Sequence, residues 1–205
     1  MPPICYMLTV YKYRSLRINM DLKWDDERTR KFVTNVGLVT SNGPHGNNIM
    51  AAEWTHHISY APSLLAVCIG PNKATLDNIR ETKEFGVHLA AFDQSVFSSI
   101  AGGNTGKEVN KIAILKDLGL RFYKASKVDL LMLKDAVMQA ECKLMQEIEL
   151  GDHTMMVGEV VEIRSTKKEP LIYRGGKYWN FGDQIEKPRQ ELLDKIKELV
   201  EKNKK

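Results

Sequence analysis

The residues best placed to do chemistry lie between Gly46 and Thr75. A turn, Gly46-Asn47-Asn48, feeds the segment Ile49-Met50-Ala51-Ala52-Glu53-Trp54-Thr55. An apolar run, Leu64 to Gly70, follows after Ala61-Pro62-Ser63, and Pro71-Asn72-Lys73-Ala74-Thr75 then opens a helical pattern. A helix N-terminus with Lys73 and Thr75 in its first turn suits a phosphate, which amides, hydroxyl and ammonium can contact together. Small side chains at Ala51 and Ala52 let a flat ring approach the backbone, whose N–H and C=O groups can recognise a polar ring edge. The same residues also suit plain packing, with Lys73 solvated, Thr75 a cap and the alanines in the core.

Other chemistries find less support. Gly102-Gly103-Asn104-Thr105-Gly106-Lys107 is no phosphate loop, because Ala101 and Glu108 stand where Gly and Ser/Thr are needed. The sequence contains no GxGxxG, HExxH or GxSxG. His56 and His57 are adjacent, so on a strand they face opposite sides and cannot easily share a metal; no metal site is expected. Cys5, Cys68 and Cys142 are widely spaced, which argues against a disulfide framework and fits a reducing cytoplasm. Thirty basic against 26 acidic residues give a net charge of only +4, weak support for a nucleic-acid partner. No window of 18 apolar residues exists, so no membrane span is expected.

The elements that must position these residues are mostly strands. Residues 32–41 are β-branched and roughly alternating, and 49–55, 64–70 and 85–90 are further extended segments. The run 64–70 lacks polar alternation and belongs in a covered sheet. Helices are expected over 73–84, with Leu76 and Ile79 on one face, and over 93–101. Residues 137–150 and 154–164 form a long antiparallel pair around Gly151-Asp152-His153, with Gly158 marking a bulge or barrel corner. A shorter pair flanks Arg174-Gly175-Gly176. A charged amphipathic helix with Leu192, Leu193, Ile196, Leu199 and Val200 on one face closes the chain. The expected division is an N-terminal extension over 1–19, one β-rich domain over 20–185 and the helical tail over 186–205.

A flavin mononucleotide (FMN) combines a flat, polar-edged ring with a terminal phosphate. The stretch from about Phe32 to Gly182 resembles the flavin reductase-like, FMN-binding split-barrel family. The resemblance rests on Asn48 to Trp54, the Leu64–Gly70 strand, Lys73 and Thr75, the run Ser99 to Lys111, Gly151-Asp152-His153-Thr154 with its GEV strand, and Gly176-Lys177-Tyr178. It implies a split β-barrel homodimer with inserted helices, holding non-covalent FMN through Asn48, Met50, Ala51, Ala52, Glu53, Trp54, Thr55, Ile69, Lys73, Ala74 and Thr75. Many relatives carry Thr or Ser where this chain has Ala51-Ala52-Glu53. A carboxylate at Glu53 would disfavour an anionic reduced flavin by repulsion.

Three functions fit. The first is an oxidoreductase in which NADH or NADPH reduces bound FMN and a flavin, ferric complex or protein accepts the electrons. The second is a non-enzymatic FMN electron carrier, the third a ligand-binding protein. His153, beside the barrel mouth, is the candidate for contacting the nicotinamide or a flavin oxygen; alternatively it bonds its own turn.

Overall fold

The structure, a computed structural model, describes residues 20–204. The expected N-terminal extension, with Cys5, lies outside them. Among the described residues twelve strands and four α-helices follow one another. They are β1 (Val33–Asn35), β2 (Gly37–Ser41), β3 (Asn48–Ala52), β4 (Thr55–Tyr60), β5 (Ser63–Ile69), α1 (Ala74–Thr82), β6 (Glu84–Leu89), α2 (Ser95–Gly103) and α3 (Lys111–Asp117). Then come β7 (Phe122–Lys124), β8 (Leu131–Leu133), β9 (Met138–Leu150), β10 (His153–Ser165), β11 (Ile172–Arg174), β12 (Lys177–Trp179) and α4 (Gln190–Lys202).

Seven strands form one antiparallel sheet in the order β3-β2-β6-β9-β10-β5-β4. Its terminal strands, β3 and β4, are joined only by Glu53 and Trp54. Six inter-strand steps of about 4.8 Å would hold the ends of a flat sheet roughly 29 Å apart. A two-residue link reaches only about 10 Å. The sheet therefore has to roll up, and the seam between β3 and β4 carries no ladder: this is a split barrel. The Trp54 carbonyl accepts from Cys68 N–H at 3.0 Å, fixing the seam to β5.

The barrel interior holds Val39, Val67, Ile69, Phe85, Cys142 and Met156. Leu76 and Ile79 of α1 join them, so this helix plugs the barrel with the face its spacing foretells. A second core lies outside the wall, where Leu38, Ile49, Leu133 and Leu171 meet Ala101 of α2 and Leu115 of α3. Strand β2 is buried at every position because both its faces are covered. At Gly158 the β9–β10 register shifts, as expected, and the Phe85 ring lies where a Cβ would stand.

Some features depart from expectation. The single strand over 32–41 is broken at Val36: β1 joins a small sheet with β11 and β12 while β2 enters the barrel. Helix α1 ends at Thr82 with Lys83 left-handed at φ 59°, a cap ordinarily given to glycine. The β7–β8 ribbon and α3 had no periodic signal. The 126–127 turn beside this ribbon is held by Glu141, 1% exposed, whose carboxylate accepts from Ser126 N–H, Ser126 Oγ and Lys127 N–H. Helix α4 buries no residue. Among the described residues no helix is long and apolar enough to cross a membrane.

Candidate functional site

The N-terminus of α1 faces β3 across a small pocket of about 20 Å³. Asn48, Met50, Ala51, Lys73, Ala74 and Thr75, all singled out in the sequence, line it together. Thr75 Oγ1 accepts from Asn48 Nδ2 at 2.8 Å, which leaves the hydroxyl hydrogen to donate elsewhere. Lys73 sits at the N-cap without a side-chain cap bond and has no ion-pair partner among the described residues. The opposite wall is the α2–α3 connection: Asn104, Thr105, Gly106 and the side chain of Lys111. Gly106 is required there, because a Cβ would collide with Asn48 Oδ1.

Lys111 is the residue that its sequence context conceals. It is 3% exposed, and its Nζ donates to the carbonyls of Ala101 at 3.0 Å and Asn104 at 3.1 Å. Burial, and secondarily the Lys73 ammonium, pulls its pKa down to about 8. No acidic residue lines the pocket. Two cations thus share a cleft with no compensating carboxylate, an arrangement an anion would relieve. Only the serine-to-lysine run at 99–111 hinted at Lys111 in the sequence, and nothing there announced its burial.

A cavity of about 430 Å³ adjoins this pocket through the shared residues Ala51 and Gly102. Its walls include Asn35, Ala52, Glu53, Ser99, Tyr173 and Tyr178. Asn35 Nδ2 donates to Thr55 O at 2.8 Å, while its buried Oδ1 has no partner, an acceptor left pointing at an unfilled role. Tyr173 and Tyr178 stack obliquely at 5.6 Å. Burial raises the Tyr173 pKa, helped by the Glu53 carboxylate. The Glu53 side chain forms no hydrogen bond or ion pair among the described residues, and burial pushes its carboxyl pKa up.

A third cavity, about 610 Å³, lies beyond Glu53, Tyr173, Gly176 and Trp24, which line both. Here stand Trp54 and His153, with ring centroids 4.6 Å apart. His153 Nδ1 is 2.8 Å from Asp152 Oδ1, so it bonds a neighbouring carboxylate and not its own backbone; this hydrogen bond holds the Asp152 carboxyl below its usual range. Its Nε2 has no hydrogen-bond partner among the described residues. His56 also faces this cavity, whereas His57 packs its ring on Tyr60.

Two of the residues singled out in the sequence line none of these cavities. Thr55 is 1% exposed and donates to Ala52 O at 3.1 Å, locking the seam; Ile69 is fully buried in the barrel. Trp24, Asn35, Lys111, Tyr173 and Tyr178 were not foreseen as lining residues. They come from segments distant in sequence, which only the rolled sheet assembles. Another cleft, about 790 Å³, lies elsewhere, over the β7–β8 ribbon between Lys116, Arg121, Lys134 and Arg164, and shares no residue with these three.

A split barrel plugged by a helix whose N-terminus faces two lysines is an arrangement suited to a phosphate-bearing ligand. Residues 29–182 match the flavin reductase like domain, and the chain belongs to that family. A protein of Archaeoglobus fulgidus is 32% identical over 126 residues, 62% of this chain and 69% of the relative. A flavin reductase (NADH) of Kitasatospora aureofaciens is 30% identical over 146 residues, 68% of this chain and 71% of that one. Among solved structures, flavin reductase PheA2 in its native state superposes with a TM-score of 0.64 at 29% identity, covering 76% of this chain and 95% of its own.

Proposed function

We propose that this chain is an FMN-dependent oxidoreductase of the flavin reductase type, fed by NADH or NADPH. The observation that carries this is the uncompensated pair Lys73 and Lys111 around a helix N-terminus, opening onto a cavity with an orphaned buried acceptor. A phosphate monoester carries about two negative charges at neutral pH. Two ammonium groups match it better than the singly charged internal phosphates of a dinucleotide, so FMN is favoured over FAD. Lys73, Lys111, Thr75 and the free amides of α1 would hold the phosphate, and Ala51 and Ala52 would lie along the ring, with Asn35 Oδ1 accepting from a ring N–H. The chemistry supplied by bound FMN is two-electron transfer between a reduced nicotinamide and an acceptor.

The residues of the third cavity do the rest. Trp54 and Tyr173 would provide flat walls for a nicotinamide, and Asp152, bonded to His153 Nδ1, would hold that ring beside them with Nε2 left to contact a ligand. The presence of a second cavity of this size beside the first favours turnover over simple electron carriage. Around it Trp24, Phe32, Val33 and Trp54 are 47–70% exposed, an apolar rim that a second copy of the chain would cover. The test has two parts. Protein purified with FMN should bleach anaerobically on addition of NAD(P)H alone; bleaching only with a second protein would make it a carrier. Light scattering should give about twice the 23.3 kDa chain mass.

A further inference from the structure

Asp77 lies outside every cavity described above, yet two separate segments converge on its carboxylate. His45 Nε2, in the turn between β2 and β3, is 2.9 Å from Asp77 Oδ2. Lys107 Nζ, in the α2–α3 connection, is 2.8 Å from the same oxygen. Both partners hold Asp77 below the usual carboxylate range, the Lys107 bond first. The turn does not need Asp77 for its position: Asn78 already welds it to α1, accepting from His45 N–H at 3.0 Å and donating to Gly46 O at 2.9 Å and Ser41 Oγ at 3.1 Å. The α2–α3 connection is different. Lys111 ties its start to the end of α2, and Gly106 rests on Asn48, but Lys107–Asp77 is the only ion pair joining this connection to the rest of the barrel among the described residues.

This connection is the outer wall of the phosphate pocket, contributing Asn104, Thr105 and Gly106. A phosphate held between Lys73, Thr75 and Lys111 loses one side of its enclosure when that wall swings away from α1. We infer that Asp77 is a positioning residue: the Lys107–Asp77–His45 clasp sets how long FMN stays bound, and so whether the flavin behaves as a resident cofactor or an exchanging substrate. This rests on the flavin-binding proposal above. The clasp is about one-third exposed, with side-chain accessibilities of 38%, 35% and 28%. Salt therefore weakens it.

The opposing effect is electrostatic. A carboxylate in the first turn of α1 repels a phosphate at that helix's N-terminus, so deleting the charge alone would slow FMN loss. The two effects have opposite signs in one measurement. FMN release is followed by the rise of free-flavin fluorescence after dilution, for wild type, Asp77→Asn, Asp77→Glu and Lys107→Met. Losing one or two partly exposed ion pairs corresponds to about a 3- to 10-fold faster release in Asp77→Asn and Lys107→Met. Asp77→Glu should restore most of the difference, and raising salt should accelerate wild type more than Asp77→Asn. Hydrogen exchange of the 105–110 amides, in protein without FMN, should quicken in the same variants while the melting temperature changes little. Release rates equal to wild type, or slower, overturn the clasp. Failure of wild type to bind FMN overturns the flavin proposal itself; unchanged exchange at 105–110 then overturns the clasp independently.

Discussion

Lys111→Met removes a charge while keeping most of the side chain's length and apolar volume. In the protein without ligand, the Lys111 pKa falls from 10.5 to about 8, equivalent to about 3 kcal/mol against carrying the charge. The unfolded chain binds this proton more tightly than the folded one between those values. Stability of the ligand-free protein should therefore rise as pH increases from about 8 to 10.5. A phosphate in the pocket supplies the missing counter-charge and raises the pKa again. Phosphate monoesters are already doubly charged above pH 7, so FMN affinity should be flat near neutrality and then fall as free protein loses the Lys111 proton. With a pKa of about 8, binding should be about tenfold weaker at pH 9 than at pH 7. Lys111→Met should lose one charge-assisted hydrogen bond, about 10- to 150-fold in affinity at pH 7. It should also lose the pH dependence. Isothermal titration with FMN at pH 7, 8 and 9 measures both. A wild-type affinity constant across this range, or a variant binding as tightly as wild type, would refute a Lys111–phosphate contact.

Lys73→Ala, at the N-cap of α1, should weaken FMN binding by a similar factor without unfolding the protein, measured by titration and a melting curve. His153→Ala should slow anaerobic bleaching of bound FMN by NAD(P)H about 10- to 1,000-fold at nearly constant FMN affinity; a lowered melting temperature with an unchanged rate would make it a scaffold residue. His88 is fully buried and neutral, its Nδ1 bonded to Leu38 O at 2.9 Å and its Nε2 accepting from Leu133 N–H at 3.0 Å. Burial lowers its pKa to about 4, so stability present above pH 6.5 should decline toward pH 4 by up to about 3 kcal/mol. Urea unfolding at pH 7 and 4.5 checks this, and His88→Gln should flatten the slope.

The local code was enough to place most elements. Apolar runs marked β5, β6, β9 and β10, the Leu76 and Ile79 spacing marked the plugging face of α1, and Gly158 announced the bulge beside Phe85. The proposed phosphate side of the site could be read locally because its residues are contiguous: a helix start and the strand it faces come from one stretch, Gly46 to Thr75. Short elements left no signal, since three-residue strands such as β7 and β8 carry too few positions for any period. Nor could sequence separate a solvated lysine from a buried one. Lys111 is buried because α3 packs against Ile49 and Ala101 in the outer core, an encounter made by closing the sheet over more than 60 residues. The same closure brings Asn35, Tyr173 and Trp24 to Ala52 and Glu53, and turns Thr55 and Ile69 inward. Residue type and spacing determined which groups could bind a phosphate and a ring. Only the rolled barrel decided which of them share a cavity and which carry an uncompensated charge, because burial and desolvation belong to the assembled surfaces, not to any one segment.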